Sequence, residues 1–280
     1  MKPTLKFVGE ALLIAALIPV VFYLCMFLYG VWHDKWSGYA ASTSISDGYC
    51  NIAVIPVQGE IHAYGIRYDE YGNEITSTNM SDTRNFIAQA VWEPEILGIM
   101  TRIDSTGGEA VAAETIAADL KHNPLPVAAY IGESGASAAY LIASAADTII
   151  ASPFSDVGSI GVTMSYLDYT QQNADMGINF VSLSSAPYKD YGSPDKPMTA
   201  EERTLLERDL AIWHDEFVRQ VAENRGLPVE YIDKLADGSS MAGKLAREAE
   251  LVDALGDEET VRAWFAQQLN LTPEEVIFCS

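Results

Sequence analysis

The chain has 280 residues, 49% hydrophobic and 20% charged, and its 39 acidic side chains against 17 basic ones give a formal net charge of -22. So large an acidic excess argues against nucleic acid as a partner and against charge-driven adhesion to anionic lipid. The three cysteines form no CxxC pair and no Cys/His cluster of zinc-site spacing, so neither a metal nor a cofactor is expected.

Residues 11–32, ALLIAALIPVVFYLCMFLYGVW, carry no charged side chain. As a helix this run spans about 33 Å, enough to cross a bilayer, and lipid-embedded helices tolerate a kink such as Pro19 would bring. Tyr23, Tyr29, Trp32 and Trp36 mark its far interface. Lys2 and Lys6 precede the run, so the positive-inside rule favours a cytoplasmic segment 1–10, an anchor at 11–32 and an exported body. A cleavable signal peptide fits less well, because the run exceeds an ordinary h-region and a small-x-small site comes only after it, at Gly38 to Ala40. Residues 33–50 then read as a small, polar linker to a body at 51–280. Cys50 and Cys279 flank that body and can pair in an oxidising compartment, although sequence leaves open whether they meet.

In the body, Ile52 to Ile61 reads as a buried strand, with Pro56 marking an edge or irregularity. Residues 63–80 are polar and predict a long surface loop, after which Ser81 caps a helix through Trp92. A strand at Ile96 to Ile103 runs into DSTGGE, where Gly107 and Gly108 make a turn that lets backbone approach a ligand and Glu109 opens a helix. Val127 to Ile131 forms the next strand. It delivers the turn Gly132 to Ser137, a helix of small residues and a further strand. This alternation indicates an α/β fold with a largely parallel sheet and loop sites at the carboxyl ends of its strands.

Beyond a glycine-rich turn at Val157 to Val162, a helix is predicted at Tyr166 to Gly177 and a strand at Ile178 to Ser185. Thr199 and Glu202 have capping-box spacing. Leu206, Leu210, Trp213 and Phe217 then recur at helical intervals as a core-packing helix that stops at Arg225-Gly226. A short helix after Pro228, another within Ala242 to Ala254 and an amphipathic one at Glu258 to Leu269 complete the chain.

The turn at Gly132 to Ser137 holds two serines, and a serine nucleophile needs a base and an oxyanion site. The segment Gly132-Glu133-Ser134-Gly135-Ala136 misses the last glycine of G-x-S-x-G, while chain order still permits Ser134 with His214. Lysine serves as the base if burial disfavours its ammonium, and Lys189 lies between Tyr188 and Tyr191.

The runs IDSTGGEAVAAETI, GASAAYLIASAADTIIASPFSDVGSIGV, SSAPYKDYGSPDKPMTAEE and LADGSSMAGKLAREAELVDALG resemble, in order and spacing, the signal peptide peptidase A (SppA) family of membrane-anchored serine proteases. The resemblance covers about Ile52 to Leu255. It implies a crotonase/ClpP-like fold and a Ser/Lys dyad: Ser137 as nucleophile, Lys189 as general base and Ser159 as the lysine-orienting serine. Gly108 would be the oxyanion-hole glycine, with the Ala138 N–H as second donor. Three positions depart from the family pattern: Thr106 replaces a proline, Ala138 and Ala139 replace glycines, and Glu250 replaces the glycine of G-L-V-D. None removes a catalytic group.

The resemblance further implies apolar, membrane-derived peptide substrates such as signal-peptide remnants. It also implies a homo-oligomer, since short members of the family form rings. A catalytically silent peptide-binding scaffold and a crotonase-type acyl-CoA enzyme are the competing readings.

Overall fold

The computed structural model describes Met26 and residues 44–279, so the predicted anchor lies outside the described residues. Among the described residues, no helix is long and apolar enough to cross a membrane. The compact unit that carries the body runs from Ile45. Its first residues are pinned by Glu93, whose carboxylate accepts the N–H groups of Ile45 and Ser46 at 2.8 and 3.0 Å.

The strands are β1 (Ile52–His62), β2 (Ser77–Asn79), β3 (Gly98–Gly108), β4 (Val127–Ala136), β5 (Thr148–Ala151), β6 (Asp156–Gly158), β7 (Ser240–Ala242) and β8 (Ala254–Leu255). The helices are α1 (Met80–Trp92), α2 (Ala110–His122), α3 (Ala138–Ser144), α4 (Thr170–Asp175), α5 (Ala200–Arg225), α6 (Val229–Asp233), α7 (Gly243–Glu248) and α8 (Glu258–Leu269). Strands β2-β1-β3-β4-β5-β8 lie side by side and parallel, giving the mixed α/β fold expected from the alternation.

Side chains of the central strands alternate strictly between two apolar layers. Ala53, Ile55, Ile99, Ile103, Ala129, Ile131 and Ile149 pack with Ile87, Ile116 and Leu120 of α1 and α2 and with α3. On the opposite face Ile52, Met100, Ala128 and Ile150 meet Val261, Phe265 and Ala266 of α8. Pro56 is tolerated because β2 pairs only with Glu60 to His62, so this part of β1 bonds to β3 alone among the strands.

Near their carboxyl ends the strands change partners. The β3–β4 register jumps from Ile103↔Ile131 to Ser105↔Gly135, setting Gly132, Glu133 and Ser134 opposite Asp104 alone and so giving β4 two residues of extra length. Such a bulge bends its strand. Past it β4 leaves β5 and pairs with β6, which pairs antiparallel with β7. The Ser155 hydroxyl fills the gap, lying 3.0 and 2.5 Å from the carbonyls of Ile131 and Gly132.

Several sequence expectations need correction. Asn79, not Ser81, caps α1, its side chain accepting from the N–H groups of Ser81 and Asp82. The predicted loop at 63–80 closes on itself through a Tyr68↔Glu74 bridge before β2. The predicted strand at Ile178 to Ser185 has no neighbour to pair with, and its Val181 and Leu183 are 75% and 96% exposed. Only Thr170–Asp175 of the preceding segment is helical.

Helix α5 has the predicted capping box and ends at Gly226 in the left-handed conformation. Its buried apolar residues are Phe217, Val218, Val221 and Ala222, because among the described residues no layer covers the half that carries Trp213. Cys50 and Cys279 are joined by a disulfide, with Cα atoms 5.1 Å apart. Around it the last residues run alongside β1: Ile52 pairs with Phe278, and the Cys279 N–H donates to the Ile52 carbonyl at 2.9 Å.

Candidate active site

The bend in β4 delivers Ser137 to the N-cap of α3 with φ 54° and ψ -126°. An L-residue held there stores roughly 1–3 kcal/mol of backbone strain. Hydrogen bonds on both sides enforce it. The Ser137 N–H donates to the Gly158 carbonyl at 2.7 Å, and the Ser137 carbonyl accepts from Tyr140 and Leu141 at 2.9 and 3.2 Å. Its side chain is half-buried, between solvent and the packed small residues of α3. Ala138 opens that helix, so its N–H has no partner within the helix.

The glycine turn ending β3 lies against this serine. A Cβ on Gly107 would stand 2.8 Å from the Ser137 Cβ and 3.1 Å from the Ala138 nitrogen, so this contact requires glycine. Ser105 braces the turn, accepting the Gly107 N–H at 3.1 Å while donating to the Gly59 carbonyl at 2.6 Å. The next N–H, that of Glu109, is spent on the Ile61 carbonyl at 2.8 Å. Gly108 itself is exposed.

Ser159 is the second serine in a left-handed conformation, at φ 50°. A turn before β7 holds it: its N–H donates to the Ser239 carbonyl and its hydroxyl to the Gly238 carbonyl, both at 3.0 Å. Asp237 fixes that turn by accepting from the N–H and hydroxyl of Ser239 at 2.8 and 2.6 Å. A hydroxyl whose proton is committed to a carbonyl offers other partners only lone pairs, which suits an ammonium or amine.

Ser137, Gly107-Gly108, Ala138 and Ser159 are thus brought together through the β3–β4–β6 ends. Lys189 is not. It sits exposed in the turn segment after the unpaired stretch, and its side chain makes no hydrogen bond or ion pair with Ser137 or Ser159 among the described residues. The apolar enclosure expected from its tyrosine neighbours is not supplied by the described residues, since Tyr188 and Tyr191 are themselves 45% and 41% exposed.

The Ser134–His214 pairing finds no support in the geometry. The Ser134 hydroxyl is buried and donates to the Ser105 carbonyl at 3.2 Å, which makes it a brace between β3 and β4. The other described histidines of the body are no better placed as bases: His62 is fully buried between the Tyr64 carbonyl and the Ser77 hydroxyl, and His122 bonds to the carbonyl of Ala118 in its own helix. Sequence reasoning missed Gly107 as the residue in contact with Ser137 and the Asp237 to Ser239 turn as the holder of Ser159. The paired glycines and the DGSS run were the available signals.

Relatives include a Methanocaldococcus jannaschii protein named as a protease, 36% identical over 182 residues, covering 64% of this chain and 58% of the relative. Another is the chloroplastic serine protease SPPA of Arabidopsis thaliana, 30% identical over 173 residues, covering 61% of this chain and 26% of the relative. The chain therefore spans less than two thirds of the length of these curated relatives. Among solved structures, a mutant of the 1510-N membrane-bound stomatin-specific protease aligns with TM-score 0.48 and 15% identity, covering 77% of this chain and 84% of that one. The family model for peptidase family S49 matches residues 119–272, a span that contains Ser137, Ser159 and Lys189, and the chain belongs to that family.

Proposed function

We propose that this chain is a membrane-anchored serine endopeptidase of crotonase/ClpP-like fold that cleaves apolar, membrane-derived peptides such as signal-peptide remnants. The observation that carries the reading is Ser137, a strained N-cap residue that lies within the S49-matched span and packs against the Gly107-Gly108 turn. In the mechanism, neutral Lys189 takes the Ser137 proton as Oγ attacks the peptide carbonyl. The N–H groups of Gly108 and Ala138 stabilise the oxyanion. Lys189 then protonates the leaving amine, and water releases the acyl group. Ser159 orients the lysine through the lone pairs its hydroxyl keeps free.

Completion of the dyad requires Lys189 to be desolvated and delivered to a Ser137. Packing of the exposed segment 161–199 against a second copy does both and covers Leu167, Val181 and Leu183, which accounts for a homo-oligomer. The anchor at 11–32 places the amino terminus in the cytoplasm and the body outside. The Cys50–Cys279 disulfide supports that topology, because such bonds persist in oxidising compartments. The same bond weighs against an acyl-CoA enzyme, whose substrate is cytoplasmic. The exposed, unpartnered Lys189 favours a second reading, a catalytically silent scaffold that binds peptide.

The two readings separate on the full chain, using fluorophosphonate labelling and hydrolysis of apolar peptides by wild type, Ser137→Ala and Lys189→Ala. The enzyme reading expects an adduct at Ser137 and loss of hydrolysis in both variants. Folded wild type that takes no label establishes the scaffold.

A further inference from the structure

The turn segment that carries Lys189 holds a second lysine in a very different environment. Lys196 is ion-paired to Glu202 in the first turn of α5 and lies 3.6 Å from the Asp190 carboxylate. The side chains of Lys196, Asp190 and Glu202 are only 20%, 22% and 4% exposed, on a segment otherwise largely open to water. Glu202 is anchored in turn. Its second oxygen accepts the Thr199 N–H at 3.0 Å, and its own N–H donates to the Thr199 hydroxyl at 3.2 Å.

The far side of the segment is braced as well. The Tyr169 N–H donates to the Pro194 carbonyl at 2.8 Å, and the Asn173 amide donates to Asp195 at 2.9 Å. The Asp190 carboxyl is held below its ordinary range, first by the nearby Ser182 hydroxyl and then by the Lys196 charge. Asp190 is the residue directly after Lys189, so every bond to it limits the direction in which the Lys189 side chain leaves the backbone.

We propose that Asp190, Lys196 and Glu202 form a clasp that sets the direction of Lys189, making Lys196 and Glu202 positioning residues for the general base. The inference rests on the Ser137/Lys189 reading. Lys196 cannot replace Lys189 as the base: the hydrogen bond with Glu202, and then the Asp190 charge, hold its ammonium above the ordinary lysine range. The two lysines therefore divide the work, Lys196 holding the segment in place and Lys189 serving as the base. A clasp of this kind matters in proportion to the precision catalysis demands, since a misplacement of about 1 Å costs about 100-fold in rate.

The test uses the full chain, with steady-state hydrolysis of an apolar fluorogenic peptide as a function of pH. The variants are Lys196→Met, Glu202→Gln and Lys196→Arg, with Lys189→Ala in parallel and a thermal melt of each. The expected result is a kcat lowered at least tenfold in Lys196→Met and Glu202→Gln, with KM unchanged and the acid limb of the pH profile displaced. Lys196→Arg, which keeps the charge, restores both. Glu202→Gln is nearly isosteric and keeps the question answerable if Lys196→Met fails to fold. Wild-type kcat and pH profile in folded Glu202→Gln, with Lys189→Ala inactive, overturn the clasp alone. Full activity in Lys189→Ala overturns the dyad reading and the clasp with it.

Discussion

Replacing both Cys50 and Cys279 by serine removes the bond that closes the body, and its effect follows from chain length. The two residues are 229 positions apart, and the chain-entropy relation for a loop of that size gives roughly 5 kcal/mol at 25 °C, at the top of the range of about 2–5 kcal/mol found when native disulfides are removed. The folded state loses little else. The last residues stay bonded to β1 through Asn51 and Ile52 to the Ile277 carbonyl and Cys279 to the Ile52 carbonyl, at 2.9, 3.1 and 2.9 Å. The cost therefore falls on the unfolded ensemble, which gains freedom when its ends separate.

With an m-value of about 2–3 kcal/mol per molar urea, the unfolding midpoint of the double variant should drop by about 2 M. Tryptophan fluorescence during urea titration measures it. A midpoint unmoved from wild type refutes the entropy argument. Three titratable thiols in unfolded, unreduced protein, where only Cys25 should react, refute the bond itself.

Gly107→Ala places a methyl 2.8 Å from the Ser137 Cβ at a φ of 113°, and kcat/KM should fall about 100-fold, with fluorophosphonate labelling slowed in step; an unchanged labelling rate counts against the contact. Glu250 is held at φ 60° at the end of α7, where the Leu251 N–H closes on the Ala246 carbonyl at 2.9 Å and Arg225 grips the Glu250 carbonyl at 3.0 Å, so Glu250→Gly should relieve strain of about 1 kcal/mol and raise Tm by about 2–4 °C. A lower Tm would contradict this. The Glu202 carboxyl is held below its ordinary range, chiefly by the hydrogen bond from Lys196. A depressed acid stabilises the fold above its unfolded pKa, and that stability is lost as pH falls through the folded value. The Tm gap between wild type and Glu202→Gln should accordingly be full above about pH 5 and close in more acidic solution; a gap independent of pH would show that the ion pair does not supply it.

How much of this was legible beforehand depended on whether a signal was local. The β-α alternation, the glycine turn after β3 and the capping box of α5 are written in neighbouring residues, and the structure has them at or within a few positions of their predicted places. Ser137 could be singled out from Ser134 only by resemblance. The physical difference is that Ser134 is spent on the Ser105 carbonyl while Ser137 is forced into a left-handed turn, and both facts depend on where β4 leaves β5. The strand expected at Ile178 to Ser185 and the long core face of α5 misled for one reason. Their apolar periodicity is real, but a pattern specifies a face and not the surface that covers it, and this chain leaves Trp213 and Leu183 open.

The ends of the body have a geometric consequence. The chain enters at Ile45 to Cys50 and is locked there to Cys279, both beside the first residue of β1, whereas Gly107-Gly108 end β3 and Ser137 follows the last residue of β4. Strand β1 has 11 residues and so extends about 35 Å. A chain end locked at the amino edge of the sheet therefore stands about one strand length from the turn that carries Ser137.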